Sequence, residues 1–200
     1  MTSFLTPGLD MPQALASTAR AGFAYLPSAL RAQACDRLGS KLAGWPLEKA
    51  PVQVGSVRQH ADMAAIGIDR WKSIGDIDRL ASEIKSALDG SGWIPNEATL
   101  MSYAGPEAGI SPHRDHRRFG LFIAVMSLAG QGRLTILGDR AGERVLADFS
   151  CCPGDLVLLR GVGLAEPADG SDPRPLHAVS GPSRGSRISL TFRMDTEVAA

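Results

Sequence analysis

The spacing of apolar residues divides the chain into two parts, which differ in the period at which those residues recur. In the first part, after a loose lead-in over residues 1–11, apolar residues recur every three or four positions, which predicts helices. Two ladders show this spacing: Leu30, Ala34, Leu38 and Leu42, and later Ile77, Leu80, Ile84 and Leu88. Gly90 is placed to end the second helix. Residues 50–70 follow neither period and leave strand and loop both open.

From residue 98 the pattern changes to short strands between turns. The candidate strands are 98–104, 119–128, 132–138, 144–149, 155–160, 175–180 and 186–194. Turn-forming pairs such as Gly105-Pro106 and Gly181-Pro182 separate them. Seven short strands at this spacing predict a β-sandwich or a small barrel.

The last of these strands alternates strictly. Its polar residues are Arg187, Ser189, Thr191 and Arg193, and its apolar residues are Ile188, Leu190 and Phe192. A period of two puts the polar residues on one face. On an inner strand that face requires an anionic partner, because burying an unpaired charge is costly. On an edge strand the same face would be exposed to solvent. The sequence of this strand alone leaves both interpretations open.

Composition and charge narrow the class of protein. The 200 residues fit one domain by the usual size range, and 44% are hydrophobic, enough for a sizeable core. Basic and acidic residues number 21 each, which argues against a strongly basic nucleic-acid coat protein. There is no C-x-x-C motif, no apolar run of membrane length and no basic residue before Arg20. We therefore expect a soluble protein of a reducing compartment, the cytoplasm, with no membrane partner.

Candidate chemistry centres on histidine, of which the chain has four. His113 and Asp115 are two residues apart, so an extended segment directs both to one face. A distant His177 can supply a third ligand. Two histidines and one carboxylate leave other positions open on a metal, which suits non-heme Fe(II). A second His-x-Asp pattern at His60 is expected by chance, and we interpret that histidine as a surface or structural residue.

Several further motifs accompany this pattern over residues 93–194, about half of the chain. They are Trp93-Ile94-Pro95-Asn96, Leu100-Met101-Ser102-Tyr103, His113-Arg114-Asp115, Pro153-Gly154-Asp155-Leu156-Val157-Leu158-Leu159, His177 and Arg187-Ile188-Ser189-Leu190-Thr191-Phe192-Arg193. Together they resemble the Fe(II)/2-oxoglutarate-dependent dioxygenases and, within these, the AlkB-like group. The closing Arg…Leu-Thr-Phe-Arg is the most AlkB-like part.

The resemblance implies a fold and a domain organisation. The fold is a mainly β double-stranded β-helix, a jelly-roll or cupin-like barrel with flanking helices. Residues 1–200 form a single dioxygenase domain. Within it, 93–194 are the β-helix core, and 1–92 are a helical buttress that includes a possible substrate lid at 50–70.

The resemblance also implies the site. The Fe(II) ligands are His113, Asp115 and His177. Arg187 pairs with the distal carboxylate of the cosubstrate 2-oxoglutarate, helped by Tyr103 and Ser189, and Arg193 lies near the end bound to iron. Six residues of strand separate the two arginines by about 20 Å between Cα atoms, a span that two long side chains and a five-carbon diacid bridge. The family often has Asn where this chain has Met101.

The implied reaction uses Fe(II), 2-oxoglutarate and O2. It releases succinate and CO2 and hydroxylates a C–H bond, or removes an alkyl group, as in demethylation, when the carbon is attached to nitrogen. Repair of N-alkylated nucleic-acid bases is the AlkB-like precedent, and it requires an aromatic stacking wall and phosphate contacts. Zero net charge and 6% aromatic residues favour a small molecule or a peptide side chain, with nucleic acid as the alternative.

Two other features leave their function open. Arg114, Arg117 and Arg118 lie beside the predicted iron site and either hold an anionic substrate or belong to a solvated loop. From another functional class, the chain could be a non-catalytic metal-binding barrel that acts as a sensor. The oligomeric state is not indicated by any pattern.

A Gly-x-Ser-x-Gly pattern at residues 181–185 suggests a serine hydrolase. A nucleophile elbow needs a following helix and a later His, whereas the 17 residues after Ser183 contain no His. The pattern therefore predicts a turn between two strands.

Overall fold

The computed structural model describes residues 2–164, 170 and 172–198, and these form two antiparallel β-sheets with helices on one side. The helices are α1 (Met11–Ala21), α2 (Ala32–Leu42), α3 (Ile68–Ser73) and α4 (Gly75–Ala87). The strands are β1 (Phe23–Leu26), β2 (Glu48–Lys49), β3 (Gln53–Val54), β4 (Val57–His60), β5 (Asp62–Gly67), β6 (Glu97–Ala104), β7 (Gly109–His113), β8 (Phe119–Ala129), β9 (Gly132–Leu137), β10 (Val145–Cys151), β11 (Leu156–Arg160), β12 (Leu176–Ser180) and β13 (Ser186–Asp195).

The two sheets are interleaved along the chain. The larger has the strand order β1-β11-β8-β13-β6-β5-β2, and the smaller has the order β10-β9-β12-β7-β4-β3. From β6 onward the chain crosses from one sheet to the other after each strand, except at the β9–β10 hairpin within the smaller sheet, which is the winding of a jelly roll. Ile123 and Val157 of the larger sheet pack against Leu134 and Ile136 of the smaller one. The predicted double-stranded β-helix is confirmed.

The outer face of the larger sheet is covered by the helices. Leu38 of α2 and Ile84 of α4 belong to the same buried cluster as Phe122, Leu190 and Phe192 of the sheet. Both faces of β8 and β13 are therefore buried, one by the helices and the other by the smaller sheet. Strand alternation decides which side chains reach each layer.

Residues 1–92 contribute more than the helices that their apolar spacing predicts. They also supply β1 to β5, which extend both sheets. The segment 50–70, left open between strand and loop, contains β3, β4, all of β5 and the start of α3, and it places the β3–β4 hairpin at the edge of the smaller sheet.

The predicted strands and helix ladders agree with the structure, and three details differ. The elements that were not predicted are α1, α3, β1, β2 and β7, because each is short or lacks a clear period. α4 is capped at Leu88, so Gly90 adopts its positive φ of 78° two residues beyond the cap. β13 lies between β8 and β6 in the middle of the larger sheet, so the edge-strand interpretation is wrong.

No helix among the described residues is long and apolar enough to cross a membrane.

Gly130 allows the end of β8 to approach the start of β13 closely. Its φ is +67°, and a Cβ there would lie 1.9 Å from the carbonyl oxygen of Ser186. We expect Gly130→Ala to lower the free energy of unfolding by about 3 kcal/mol, the sum of left-handed strain and overpacking. Urea denaturation followed by circular dichroism measures this.

Gly142→Ala is the matched control, because Gly142 also has a positive φ, of 80°, but no atom lies within 4 Å of the added Cβ. We expect it to cost about 1 kcal/mol, the conformational part alone. Equal losses in the two variants would show that the contact with Ser186 is unimportant.

Candidate active site

A cavity of about 490 Å³ lies between the two sheets. Its lining includes all the residues predicted for the site: Tyr103, His113, Asp115, His177, Arg187, Ser189 and Arg193. Most of them come from β13 and from the neighbouring ends of β6, β7 and β12, whose inner faces meet there. The alternation of β13 thus turns its polar side chains toward the smaller sheet.

The two predicted histidine ligands lie opposite each other on paired strands. His113 ends β7 and is the register partner of His177 on β12. Their ring centroids are 4.2 Å apart. Asp115, in the loop after β7, places Oδ2 3.6 Å from Nε2 of His177. Three side chains that are distant in the sequence therefore converge at one end of the cavity.

The backbone fixes the tautomer of each histidine. Nδ1 of His113 is 2.9 Å from the carbonyl oxygen of Ser111, and Nδ1 of His177 is 3.2 Å from that of Pro175. A carbonyl oxygen only accepts, so each Nδ1 carries the hydrogen and donates it. Each Nε2 is left with a free lone pair, the arrangement found for metal-bound histidine.

Burial and charge set the protonation states. Burial, followed by the nearby His113, lowers the pKa of His177 to about 4, although Asp115 opposes the shift. For Asp115, burial favours the neutral acid, but attraction to His177 in its protonated form and to Arg193 lowers its pKa overall. At neutral pH the site offers a neutral imidazole and an ionised carboxylate, the forms that bind a divalent cation.

The donor set fits Fe(II) in chemistry. Adjacent ligands of an octahedral ion, at bond lengths of about 2.1 Å, lie about 3 Å apart, close to the separation of the His177 and Asp115 donor atoms. In the described part of the chain, no three His, Cys, Asp or Glu side chains already surround a single metal position. Binding therefore requires a rotamer adjustment within the triad.

Arg174, which was not predicted as a site residue, anchors the loop that carries Asp115. Nη1 of Arg174 donates to the carbonyl oxygen of Asp115 at 2.5 Å, and its Nε donates to Asp172 at 2.9 Å. The carbonyl oxygen of Arg174 in turn accepts from Nε of Arg114 at 2.9 Å. These bonds tie the loop after β7 to the segment before His177. No sequence signal marks Arg174, because its role depends on two loops meeting.

Arg187 lies away from the triad, and its charge is buried. The residue is 1% exposed, its Nη2 donates to Ser127 Oγ at 3.1 Å, and its guanidinium lies 5.5 Å from the Tyr103 ring centroid. Nε has no partner among the described residues, and no carboxylate there forms an ion pair with Arg187. A buried cation without an anion is costly, so this position is suited to a bound carboxylate.

Tyr103 presents a neutral phenol beside this arginine. Burial raises its pKa, and the positive charges of Arg187 and Arg193 only partly oppose that shift. The hydroxyl therefore keeps its proton and can donate a hydrogen bond to an anion.

Arg193 lies at the triad end, and its charge is shared. Nη1 donates to Glu97 Oε1 at 2.9 Å and to Thr99 Oγ1 at 2.6 Å, and Nη2 is 3.7 Å from Asp115 Oδ1. Glu97 and Thr99 were not predicted as site residues. Glu97 is the register partner of Arg193, so only the pairing of β6 with β13 could have identified it.

Several other candidates lie outside this arrangement. His60 is exposed on β4 and does not line the cavity. Trp71 is buried edge-on against Phe192, with ring centroids 5.3 Å apart, which is packing. Ser183 is exposed in the turn between β12 and β13, as predicted. Met101 lines the cavity opposite Ser189 and brings a thioether where the family often has an amide.

Comparisons with known proteins support the fold. No family model matches the chain, and no curated protein matches it in sequence. Among solved structures, a prolyl hydroxylase from Trichoplax adhaerens, in complex with a hypoxia inducible factor oxygen degradation domain peptide fragment, is 16% identical with a TM-score of 0.64, over 94% of this chain and 90% of that chain.

Two further structures are similar over most of their length. A 2OG-Fe(II) oxygenase family oxidoreductase from Burkholderia pseudomallei is 15% identical, with a TM-score of 0.63, over 100% of both chains. OsALKBH1 is 14% identical, with a TM-score of 0.60, over 86% of this chain and 98% of that chain. The chain therefore has the fold of 2-oxoglutarate/Fe(II) oxygenases, and an AlkB homologue is among the proteins that share it.

Gly132 on β9 makes room for Arg187. A Cβ at this position would lie 2.4 Å from Cδ and 3.2 Å from Nε of Arg187. We expect Gly132→Ala to displace the guanidinium and to weaken 2-oxoglutarate binding about tenfold or more, since a charge-assisted pair depends on geometry. Calorimetric titration measures this, with Gly142→Ala as control, and unchanged affinity would contradict the assignment of Arg187.

Arg174→Gln removes the anchor of the Asp115 loop. We expect the affinity for Fe(II) or Ni(II) to fall about tenfold, as for other changes behind a metal ligand. Anaerobic calorimetry measures the affinity, and circular dichroism checks that the fold is retained. Arg184→Gln, at an exposed arginine in the β12–β13 turn, serves as control.

Proposed function

We propose that the protein is an Fe(II)- and 2-oxoglutarate-dependent dioxygenase. It hydroxylates or oxidatively dealkylates a C–H bond of a small molecule or a peptide side chain, consumes O2, and releases succinate and CO2. The observation that carries this proposal is one cavity with two histidines and a carboxylate at one end and a buried arginine lacking an anion elsewhere in its wall. A bound metal ion would use the two histidines and the carboxylate, and a bound diacid would balance the charge of the arginine.

Each residue has a distinct task in this proposal. His113, Asp115 and His177 hold Fe(II), which when bound couples the oxidative decarboxylation of 2-oxoglutarate to oxidation of the substrate. Arg187 pairs with the distal carboxylate of the cosubstrate, and the Tyr103 hydroxyl donates to the same group. Ser189 lies beside them on β13.

Arg193 acts at the other end of the cosubstrate. Its Nη2 lies near Asp115, and its Nε is buried with no partner among the described residues. That free N–H is available to the carboxylate and keto group next to the metal. Glu97 and Thr99 hold the guanidinium in place and limit the positions it can take.

The size of the cavity supports the proposed class of substrate. Its volume of about 490 Å³ lies within the range of small-molecule sites. A peptide side chain is a second substrate form, supported by the peptide-bound prolyl hydroxylase that shares the fold. Oxidative demethylation of N-alkylated bases, supported by the shared fold of OsALKBH1, is the alternative activity.

The cellular setting is part of the proposal. Cys35, Cys151 and Cys152 are all free thiols, which fits a reducing compartment. We place the protein in the cytoplasm on this basis.

Anaerobic titration with Fe(II) and 2-oxoglutarate tests the function. We expect a weak visible charge-transfer band, followed by slow succinate release when O2 is admitted, even without substrate. His177→Ala and Arg187→Ala should each lower succinate release at least about 100-fold, because each removes a buried charged or ligating contact. Succinate is quantified by mass spectrometry.

His60→Ala and Arg184→Ala are the matched controls, because both residues are exposed and lie outside the cavity. They should leave the band and the succinate rate unchanged. Iron binding with neither band nor succinate would overturn the dioxygenase proposal and favour a metal-binding sensor.

A further inference from the structure

The aromatic rings in the cavity wall are already engaged. Arg118 and Arg193 place their guanidinium groups over the ring of Phe119, 4.9 and 4.8 Å from its centroid. Tyr103 is buried under Arg187. Apart from histidines, these two are the aromatic residues that line the cavity in the described chain. A flipped nucleobase needs an open ring to stack on, so the wall is poorly suited to one.

One side of the cavity is aliphatic. Met63 and Ala65 on β5, and Val54 and Val57 on the β3–β4 hairpin, all line it. Val54 is 57% exposed, an unusual position for a branched apolar side chain beside a cavity. Ala65 and Gly67 have little or no side chain, so this part of the lining leaves room for a chain of methylene groups. These side chains can bury the hydrocarbon part of a ligand away from water, but they offer it no hydrogen bonds.

The charged lining is unbalanced. Among the described residues, four arginines line the cavity, at positions 114, 118, 187 and 193, against two carboxylates, Glu97 and Asp115. Bound Fe(II) and doubly charged 2-oxoglutarate cancel each other, so a positive excess persists in the loaded site.

The excess can be assigned to one residue. Arg118 pairs with Glu97 at 3.2 Å and with Asp195 at 3.3 Å, whereas the one carboxylate within 4.0 Å of Arg114 in the described chain is Asp172. That carboxylate already accepts from Arg174. Among the described residues, Arg114 is thus the lining arginine least compensated by protein carboxylates, apart from Arg187.

We propose, on the basis of the proposed function, that the substrate is a small aliphatic carboxylate. Its hydrocarbon chain lies against Val54, Val57, Met63 and Ala65, and its carboxylate pairs with Arg114. A planar guanidinium matches the carboxylate in geometry.

The reaction balances in atoms and electrons. A C–H bond of the acid becomes C–OH, and 2-oxoglutarate loses CO2 to become succinate. One atom of O2 enters the new hydroxyl group and the other enters succinate. Two of the four electrons that reduce O2 come from the substrate and two from 2-oxoglutarate.

The test compares head groups on equal chains. Full-length protein with Fe(II) and 2-oxoglutarate is given butanoate, hexanoate or octanoate, and then the amines and alcohols of the same lengths. Binding is measured under nitrogen by saturation-transfer NMR, and hydroxylated product and succinate are measured in air. We expect at least one acid to bind about tenfold more tightly than its amine and alcohol, to raise succinate release above the uncoupled rate and to yield a hydroxy acid.

Variants separate the two parts of the proposed contact. Arg114→Gln should abolish the preference for acids and Arg114→Lys should restore part of it, whereas Arg117→Gln, at an exposed neighbour outside the lining, should not alter it. Ala65→Leu should lower affinity for the acids about tenfold by filling the aliphatic wall, with the exposed Ala141→Leu as control. Iron and 2-oxoglutarate affinities are measured for every variant.

The outcomes distinguish this proposal from the proposed function. Uncoupled succinate release with no preference for acids over amines and alcohols overturns the carboxylate substrate and leaves the dioxygenase intact. Stimulation by a single-stranded oligonucleotide containing 1-methyladenine, but by none of the acids, overturns it in favour of base demethylation. Absence of any 2-oxoglutarate-dependent succinate defeats the dioxygenase proposal itself.

Discussion

The burial of a polar strand face between two sheets is the constraint on which the site depends. β13 sits in the middle of the larger sheet, so both of its faces are covered. One face packs Leu190 and Phe192 against the helix-backed core, and the other turns Arg187, Ser189 and Thr191 inward. A shift of one residue in register would place arginines in the apolar layer, so the pattern also fixes the register. Because the helices cover the apolar face of β13, its polar face lies between the sheets and lines the charged cavity.

The two ends of that cavity are electrostatically different. At the triad end, Arg193 is balanced by Glu97 and Asp115, and each histidine is fixed by a backbone carbonyl. The tautomers of the histidines and the position of Arg193 are therefore set before a metal binds, and rotamers within the triad are what must still adjust. At Arg187 the guanidinium is held by Ser127 alone, and its charge has no carboxylate partner in the described chain. In the function that we propose, a bound diacid supplies the missing negative charge, and Arg187 recognises the cosubstrate because no protein carboxylate among the described residues pairs with it.

The sequence predicted what depends on local period and missed what depends on contacts between segments. The alternation of residues 187–193 identified the inward face, and the spacing of His113 and Asp115 identified two residues that line the same cavity, because both signals lie within one strand or turn. β7 was missed since it is five residues long and contains Pro112, which weakens a strand pattern. Glu97 and Arg174 were missed for a different reason: their partners are set by strand register and by the meeting of two loops. Such contacts are properties of the folded chain and leave no periodic trace.

The short segment after β7 shows why a shared fold does not by itself determine the substrate. Arg114, Arg117 and Arg118 lie within five residues of one another, yet each has a different environment. Arg118 is paired with two carboxylates, Arg117 faces solvent, and Arg114 lines the cavity with Asp172, at 4.0 Å, as its one carboxylate neighbour among the described residues. The sheets place this segment beside the triad, and the side-chain partners then give each arginine a different environment. In the substrate that we propose, selection depends on which cation lacks a partner, a property of side-chain contacts rather than of topology.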